Sequence, residues 1–447
     1  MTVQPQLSPT RGERAEAAAP PAPGKRRRGV CPGLSAPMPT GDGLLARLLP
    51  IGPIHCNAFI DLCEAAGRHG NGTIEISARG SLQMRGLTPI SAPLFASAVS
   101  ALGIPASEGV SVIAGPLIPD ADPMVDTAAV AAALRRAIAE RRLVLSPKVS
   151  IVVDGGGSLH LDSLSADVRL RAAGSRRPSF HVGLGGDGQS ATWLGAITPE
   201  NVVDVIVGLL TAIAGRGPTG RAADILRAEG VEALRSSLPC GIGLSRSPPA
   251  RAAAEVIGLH SAPDGTAAVG IGFAFGHAQA GILAKFVGIA AGLGTHAIRP
   301  APGRALLLTG ATAAHASRLA DAAEQLGFVT RADDFRRWIA ACPGAPACAA
   351  GLIPARALAS ELALALRSSG AGAGHHQASG IAVHISGCPK GCAHPMPAAL
   401  TVVGTSNGCG IVRNGTARAI PDHYVTPANL SVEISRSAAR THEAAHG

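Results

Sequence analysis

Apolar residues along the chain repeat in two periods that alternate from one end to the other. In NAFIDLCEAAGRHG (57–70) and PISAPLFASAVSALGI (89–104) they fall three and four apart, as on one face of a helix, and LLARLLPIGP (44–53) has the same spacing. GTIEISARGSLQMRGL (72–87) alternates instead, which predicts paired strands. A strand at 110–115, a Pro/Asp loop and an Ala-rich helix over 125–140 come next. KVSIVVDGGGSLHL (148–161) predicts two strands around a turn at Gly155 to Gly157. A helix over 199–215 ends at a Gly/Pro/Arg break, 215–221, the best boundary between two halves.

Beyond that break the pattern restarts. Residues 269–310 predict a strand, a glycine turn, a helix and a strand bearing Arg299 and Arg304, as the first half leads through helix and turn to a strand bearing Arg79 and Arg85. A helix follows in each half, near 125–140 and near 313–326. The expected fold is therefore α+β with a divergent internal duplication, pseudo-two-fold symmetry and a central cleft.

Composition narrows the function. At 47% hydrophobic and 15% charged, 447 residues can bury substantial cores. Residues 1–28, ending in KRRR, lack an apolar segment and read as a disordered basic tail rather than a signal peptide. No apolar run reaches about 18 residues, so no membrane span is expected, and the cytoplasm is the expected compartment. The net charge of +9 reflects that tail and an arginine-rich body able to line a pocket for a polyanion. Aromatics at 2% and the lack of helix-turn-helix, finger or RRM patterns argue against nucleic acid.

The chemistry concentrates in four of the nine cysteines. Cys342 and Cys348 stand in ACPGAPAC, and Cys388 and Cys392 in GCPKGC. Two close pairs on Pro/Gly turns can converge four thiolates on an iron–sulfur cluster. A zinc site would use the same ligands, although its pairs generally favour C-x2-C to C-x4-C spacing. Cys31, Cys56, Cys63, Cys240 and Cys409 have no such spacing and read as small core or surface thiols. His384 and His394 flank the second pair and His375–His376 lies in a glycine-rich loop, without a recognisable two-histidine, one-carboxylate set. Lys390 could raise a cluster's potential. GLGGDG at 183–188 matches a dinucleotide fingerprint in letters, but QSATW follows where a helix should open, so it reads as a turn.

C-x5-C followed about forty residues later by C-x3-C resembles the nitrite/sulfite reductase superfamily. ARGSLQMRGL (78–87) is similar to its T-x-R-x-x-x-Q strand, and SPKVSIVVDGGG (146–157) loosely to its lysine-bearing segment. The resemblance implies two ferredoxin-like half-domains (29–100 and 240–312) and two mixed domains (101–215 and 313–430), the last holding a 4Fe–4S cluster on Cys342, Cys348, Cys388 and Cys392. It also implies that Arg79, Gln83, Arg85 and Lys148 face a tetrapyrrole. A separation of six would put both arginines on one face of a continuous strand, with Gln83 beside them. Arginine suits the task because its fork meets carboxylates bidentately.

Within the superfamily, GVCPGLSAPMPTGDGLLARL (29–48) looks most like the precorrin-3B synthase branch. That likeness implies O2-dependent hydroxylation of precorrin-3A at C20 with γ-lactone closure, in aerobic cobalamin biosynthesis. It further implies a mononuclear non-haem iron and an external electron donor, a ferredoxin or an NAD(P)H-dependent reductase. Two alternatives stay open: a sirohaem-dependent sulfite or nitrite reductase, and a non-catalytic binding protein stabilised by Fe–S or zinc. The reductases' K-x-K reads Lys148-Val149-Ser150 here, which weakens the small-anion alternative.

Overall fold

The structure is a computed structural model that describes residues 32–107, 109–115, 125–173, 178–238, 242–243, 246–261, 265–368, 381–430 and 432–434. The tail at 1–28, Cys31, Cys240 and His375–His376 lie outside the described residues.

Four five-stranded sheets organise the described chain. The first runs Met38–Thr40, Gly43–Leu48, Leu82–Leu87, Thr73–Ile76 in space, and its fifth strand, His277–Gln279, comes from the second half. The second runs Gly258–Ser261, Thr266–Gly272, Ala305–Thr312, Ala297–Ala301, and is closed by Ile54–His55 from the first half. Each half thus lends an edge strand to the other. Helices Cys56–His69 and Ala280–Gly292 pack together over one shared core that includes Phe59, Phe95, Phe286 and Leu319.

The other two sheets repeat one topology. Ser111–Ala114, Ser150–Asp154 and Ala166–Ala173 are parallel neighbours, followed by antiparallel Ser179–Gly186 and Thr192–Ile197. Ile339–Ala341, Val383–Ser386 and Ala398–Thr405 are likewise parallel, followed by antiparallel Gly408–Gly415 and His423–Val425. The same order and sense in both halves bear out the duplication. Their parallel strands are covered on both faces, so Ser150–Asp154 is buried along its whole length. Helix Val202–Ala214 covers the first of them with Val202, Val205, Ile206, Leu209, Leu210 and Ile213, one stripe at helical spacing. Asp126 starts helix Thr127–Arg141 by accepting the backbone N–H groups of Ala128 and Ala129, each at 3.0 Å.

Several local expectations change. Residues 43–48 form a strand, not a helix, because the Thr40–Gly43 turn folds Met38–Thr40 back against them. The expected second strand after Gly157 is absent: Asp154 accepts from the backbone N–H groups of Gly156 (2.8 Å) and Leu161 (3.3 Å), so this segment coils around a carboxylate. Gly183 to Gly186 extend a strand, and the turn falls at Asp187, whose Oδ1 takes the N–H groups of Gln189 and Ser190. The break at 215–221 lies inside one core, since Ala222, Ile225 and Leu234 of the following helices join the sheet before it.

Candidate metal centre and its arginine frame

Parallel pairing of Ile339–Ala341 with Val383–Ser386 ends both strands at the same edge, Ala341 opposite Ile385. Both cysteine loops leave from that edge. Cys342 follows the first strand, and its N–H donates to Ile385 O at 3.2 Å; Gly387 and Cys388 follow the second. The Gly387 N–H donates to Cys342 Sγ at 3.0 Å, and the Leu352 N–H returns to Gly387 O at 2.7 Å, stitching one loop to the other. Only glycine fits there: a Cβ at 387 would lie 2.8 Å from Gly344 Cα and 3.4 Å from Cys342 Sγ. Cys342 and Cys388 are buried, Cys348 half-buried and Cys392 exposed.

Cys392 feels the other three sulfurs. Burial and then the neighbouring Cys388, Cys342 and Cys348 push the Cys392 thiol up, with Lys390 pulling it back. A soft-donor set gathered this way, with a backbone N–H already on one sulfur, fits a metal–thiolate centre, because a bound cation offsets the charge of thiolates held together.

Arginines from both halves hold these loops. Arg85, 3% exposed, donates to Asp42 through Nε (3.0 Å) and Nη2 (2.8 Å), sits 3.4 Å from Glu75, and donates from Nη2 to Ala347 O inside the C-x5-C loop. Arg304 donates from Nη2 to Ala393 O (3.2 Å), one residue past Cys392. Arg356, on the helix after the first loop, closes on Glu75 at 2.7 Å. The two hairpin turns carrying Arg79 and Arg304 touch: Gly303 N–H donates to Ala78 O at 3.0 Å, and a Cβ on Gly80 would meet Ala301 C at 2.9 Å. Arg304 has φ 62, which the turn imposes.

No family model matches the chain. A precorrin-3B synthase from Sinorhizobium sp. is 35% identical over 415 residues, covering 92% of this chain and 88% of the relative. The chain belongs to the precorrin-3B synthase family. Among solved structures, that of the Mycobacterium tuberculosis NirA protein superposes with a TM-score of 0.70 at 20% identity, over 88% of this chain and 80% of that one. The fold is the duplicated nitrite/sulfite reductase fold.

For a precorrin-3B synthase family member, the four residues expected at a tetrapyrrole fall in three places. Arg79 is not on a strand continuous with Arg85, because residues 77–81 are a turn closed by Ser77 and Ser81. Its Nη1 donates to Ser165 O at 2.6 Å, while Nη2 is buried without a partner. Gln83 lies on the Glu75 side, its amide nitrogen 3.0 Å from Glu75 and its oxygen 3.1 Å from Arg47. Arg85 braces the cysteine loop. Lys148 is exposed in the turn before Ser150–Asp154, and its ammonium makes no bond among the described residues.

Two histidine groups bear on a second metal. Asp154, His160 and Asp162 place ligand atoms within 4.8 Å of one another. They do not fit a cation, because Arg251 already holds Asp162 at 2.8 and 2.7 Å and also bonds Asp154, with Arg169 and Arg171 3.4 and 3.7 Å from Asp162. His160 Nε2 is engaged by Ala252 O at 2.7 Å. His384 differs. It is fully buried on the strand before Cys388, both ring nitrogens lack partners, and it meets His394 edge-on with ring centroids 5.8 Å apart. Burial, with His394 adding to it, pushes its pKa down to about 4, so its ring is neutral at pH 7. Glu75, Asp42 and Arg356 had no sequence signal beyond an acid in an alternating strand, a TGDG turn and an arginine near a helix start.

Proposed function

We propose that this chain converts precorrin-3A to its C20-hydroxylated γ-lactone with O2. One oxygen atom enters the substrate and the other leaves as water, with two electrons and two protons from an external ferredoxin or NAD(P)H-dependent reductase. The observation that carries the reading is the 35% identity to the Sinorhizobium relative over 92% of the chain. Cys342, Cys348, Cys388 and Cys392 would hold a 4Fe–4S cluster, which when bound supplies electrons one at a time.

The chain's own residues do the rest. The Gly387 N–H offsets charge at Cys342 Sγ, and Arg85 and Arg304 fix the two cysteine loops to the two central sheets. Arg79, with a free Nη2, and Lys148 keep donors available for the substrate's carboxylates. Gln83 and Arg85 are committed to Glu75 and Asp42 and act by positioning. For the mononuclear iron, His384 fits as a neutral ligand, with His394 beside it. His384→Phe should then lower iron per chain while leaving cluster absorption intact; unchanged iron removes that assignment.

The deciding experiment is the absorption spectrum and metal content of anaerobically purified protein, followed by turnover of precorrin-3A with O2 and a reductant. Cluster absorption without sirohaem, and a product heavier by one oxygen atom, are expected. A sirohaem band with reduction of sulfite or nitrite would overturn the reading in favour of a sirohaem reductase.

A further inference from the structure

The duplication gives the metal centre a counterpart. Ser111–Ala114 holds in its sheet the edge position that Ile339–Ala341, the strand leading to Cys342, holds in the other. Among the described residues at that counterpart edge there are no cysteines. Instead Arg79, Arg135 and Arg299 line one small cavity, with Pro50, Ile113 and Pro300 as apolar walls. The three come from separate elements: the turn at 77–81, helix Thr127–Arg141, and strand Ala297–Ala301 of the other half.

Their charges are not cancelled. Arg79 and Arg135 each give one nitrogen to a carbonyl, Ser165 O at 2.6 Å and Val112 O at 2.7 Å, leaving Arg79 Nη2 and Arg135 Nε buried without partners. The Arg299 side chain makes no hydrogen bond or ion pair among the described residues. Asp167, the acid that Arg79 feels, is held by Arg221 at 2.9 and 3.0 Å and by the N–H groups of Ser150 and Ala222. Burial, and for Arg135 also the Arg299 charge, holds both arginines below their usual pKa. Arg135 and Arg299 repel each other, Arg79 lines the same cavity with a free nitrogen, and an anion there resolves the repulsion while satisfying the unpaired donors.

We propose that Arg79, Arg135 and Arg299 form a carboxylate-binding subsite that receives one peripheral carboxylate of the tetrapyrrole substrate. The source of the carboxylate rests on the function proposed above; the anion site itself does not. A carboxylate bound here ties the first mixed domain to both central sheets, so substrate binding would register across the pseudo-dyad.

The test uses the cluster-loaded protein and the variants Arg135→Met and Arg299→Met, which keep most of the apolar stem. Anaerobic titration with precorrin-3A should show each variant binding about tenfold more weakly or worse, the loss expected for a charge-assisted contact, with iron, sulfide and melting temperature retained. Arg299→Lys should recover part of the loss. A fully methyl-esterified tetrapyrrole should bind wild type and variants equally. Unchanged affinity in folded, iron-loaded variants overturns the subsite. If wild type fails to bind precorrin-3A, the function reading has failed, and uroporphyrin replaces it as probe. Thermal protection by uroporphyrin that is lost in both variants then upholds the carboxylate subsite, and its absence, or protection by inorganic sulfate alone, overturns it.

Discussion

Arg85→Met removes a charge from the joint between the first-half sheet and the C-x5-C loop while keeping an apolar stem of similar length. The lost contacts are two charge-assisted bonds to Asp42 at 3.0 and 2.8 Å, a 3.4 Å approach to Glu75, and the bond to Ala347 O. Removing one partner of a buried ion pair costs about 3–5 kcal/mol. Two features favour the lower end: the Asp42 side chain is 16% exposed, and Glu75 keeps Arg356 at 2.7 Å. We expect a loss of about 3 kcal/mol in anaerobic urea unfolding, and a fall in iron and sulfide per chain because the Cys342–Cys348 loop loses its anchor. The pH dependence carries a sign. Burial pushes the Asp42 carboxyl up, but hydrogen bonds from Arg85 and Thr40 and the Arg85 charge outweigh it and hold its pKa below the usual value. A lowered carboxylate pKa contributes stability that is fully present above the unfolded value and is lost as pH falls through the folded one. The difference between wild type and variant should therefore be flat from about pH 8 to about pH 5 and shrink below about pH 4. A variant within about 0.5 kcal/mol of wild type, with full iron, would refute the clamp.

Two further outcomes follow from packing and charge. Gly387→Ala forces a Cβ to 2.8 Å from the Gly344 backbone, so it should cost about 1–3 kcal/mol and impair cluster assembly, measured as iron and sulfide per chain. Normal loading would mean that the two loops are not packed this closely. Asp162→Asn leaves Arg169, 0% exposed, and its neighbours Arg171 and Arg251 short of counter-charge; the loss should be about 3–5 kcal/mol, with iron content unchanged. A fall in iron without a fall in stability would instead make that group a metal site.

The pairing of the four cysteines on two adjoining loops was legible because each pair is local in sequence, complete within seven residues. The duplication was legible because both halves repeat the same order of apolar periods. Arg85 was visible as a basic residue on a strand but not as a brace, since its partners Asp42 and Ala347 lie 43 and 262 residues away. Gly43–Leu48 reads as helix because so short a segment, with Arg47 among its leucines, does not distinguish strand from helix by spacing alone, and the hairpin that decides it depends on the turn before it. The convergence of Arg135 and Arg299 was hidden for the same reason as the Arg85 brace: helix 127–141 and strand 297–301 meet only in the fold.

The exchanged edge strands also constrain how the chain is made. The first central sheet has its own four strands by Leu87, but the strand that covers its open edge, His277–Gln279, leaves the ribosome only about 190 residues later, an interval of roughly 10–40 s at ordinary elongation rates. Throughout that interval Thr73–Ile76 presents an unpaired edge, the surface most prone to aberrant strand addition. Separate expression of the first half would make that interval permanent. Truncated products ending between the halves should therefore aggregate or be captured by chaperones, and the yield of soluble protein should depend on how fast the second half is synthesised.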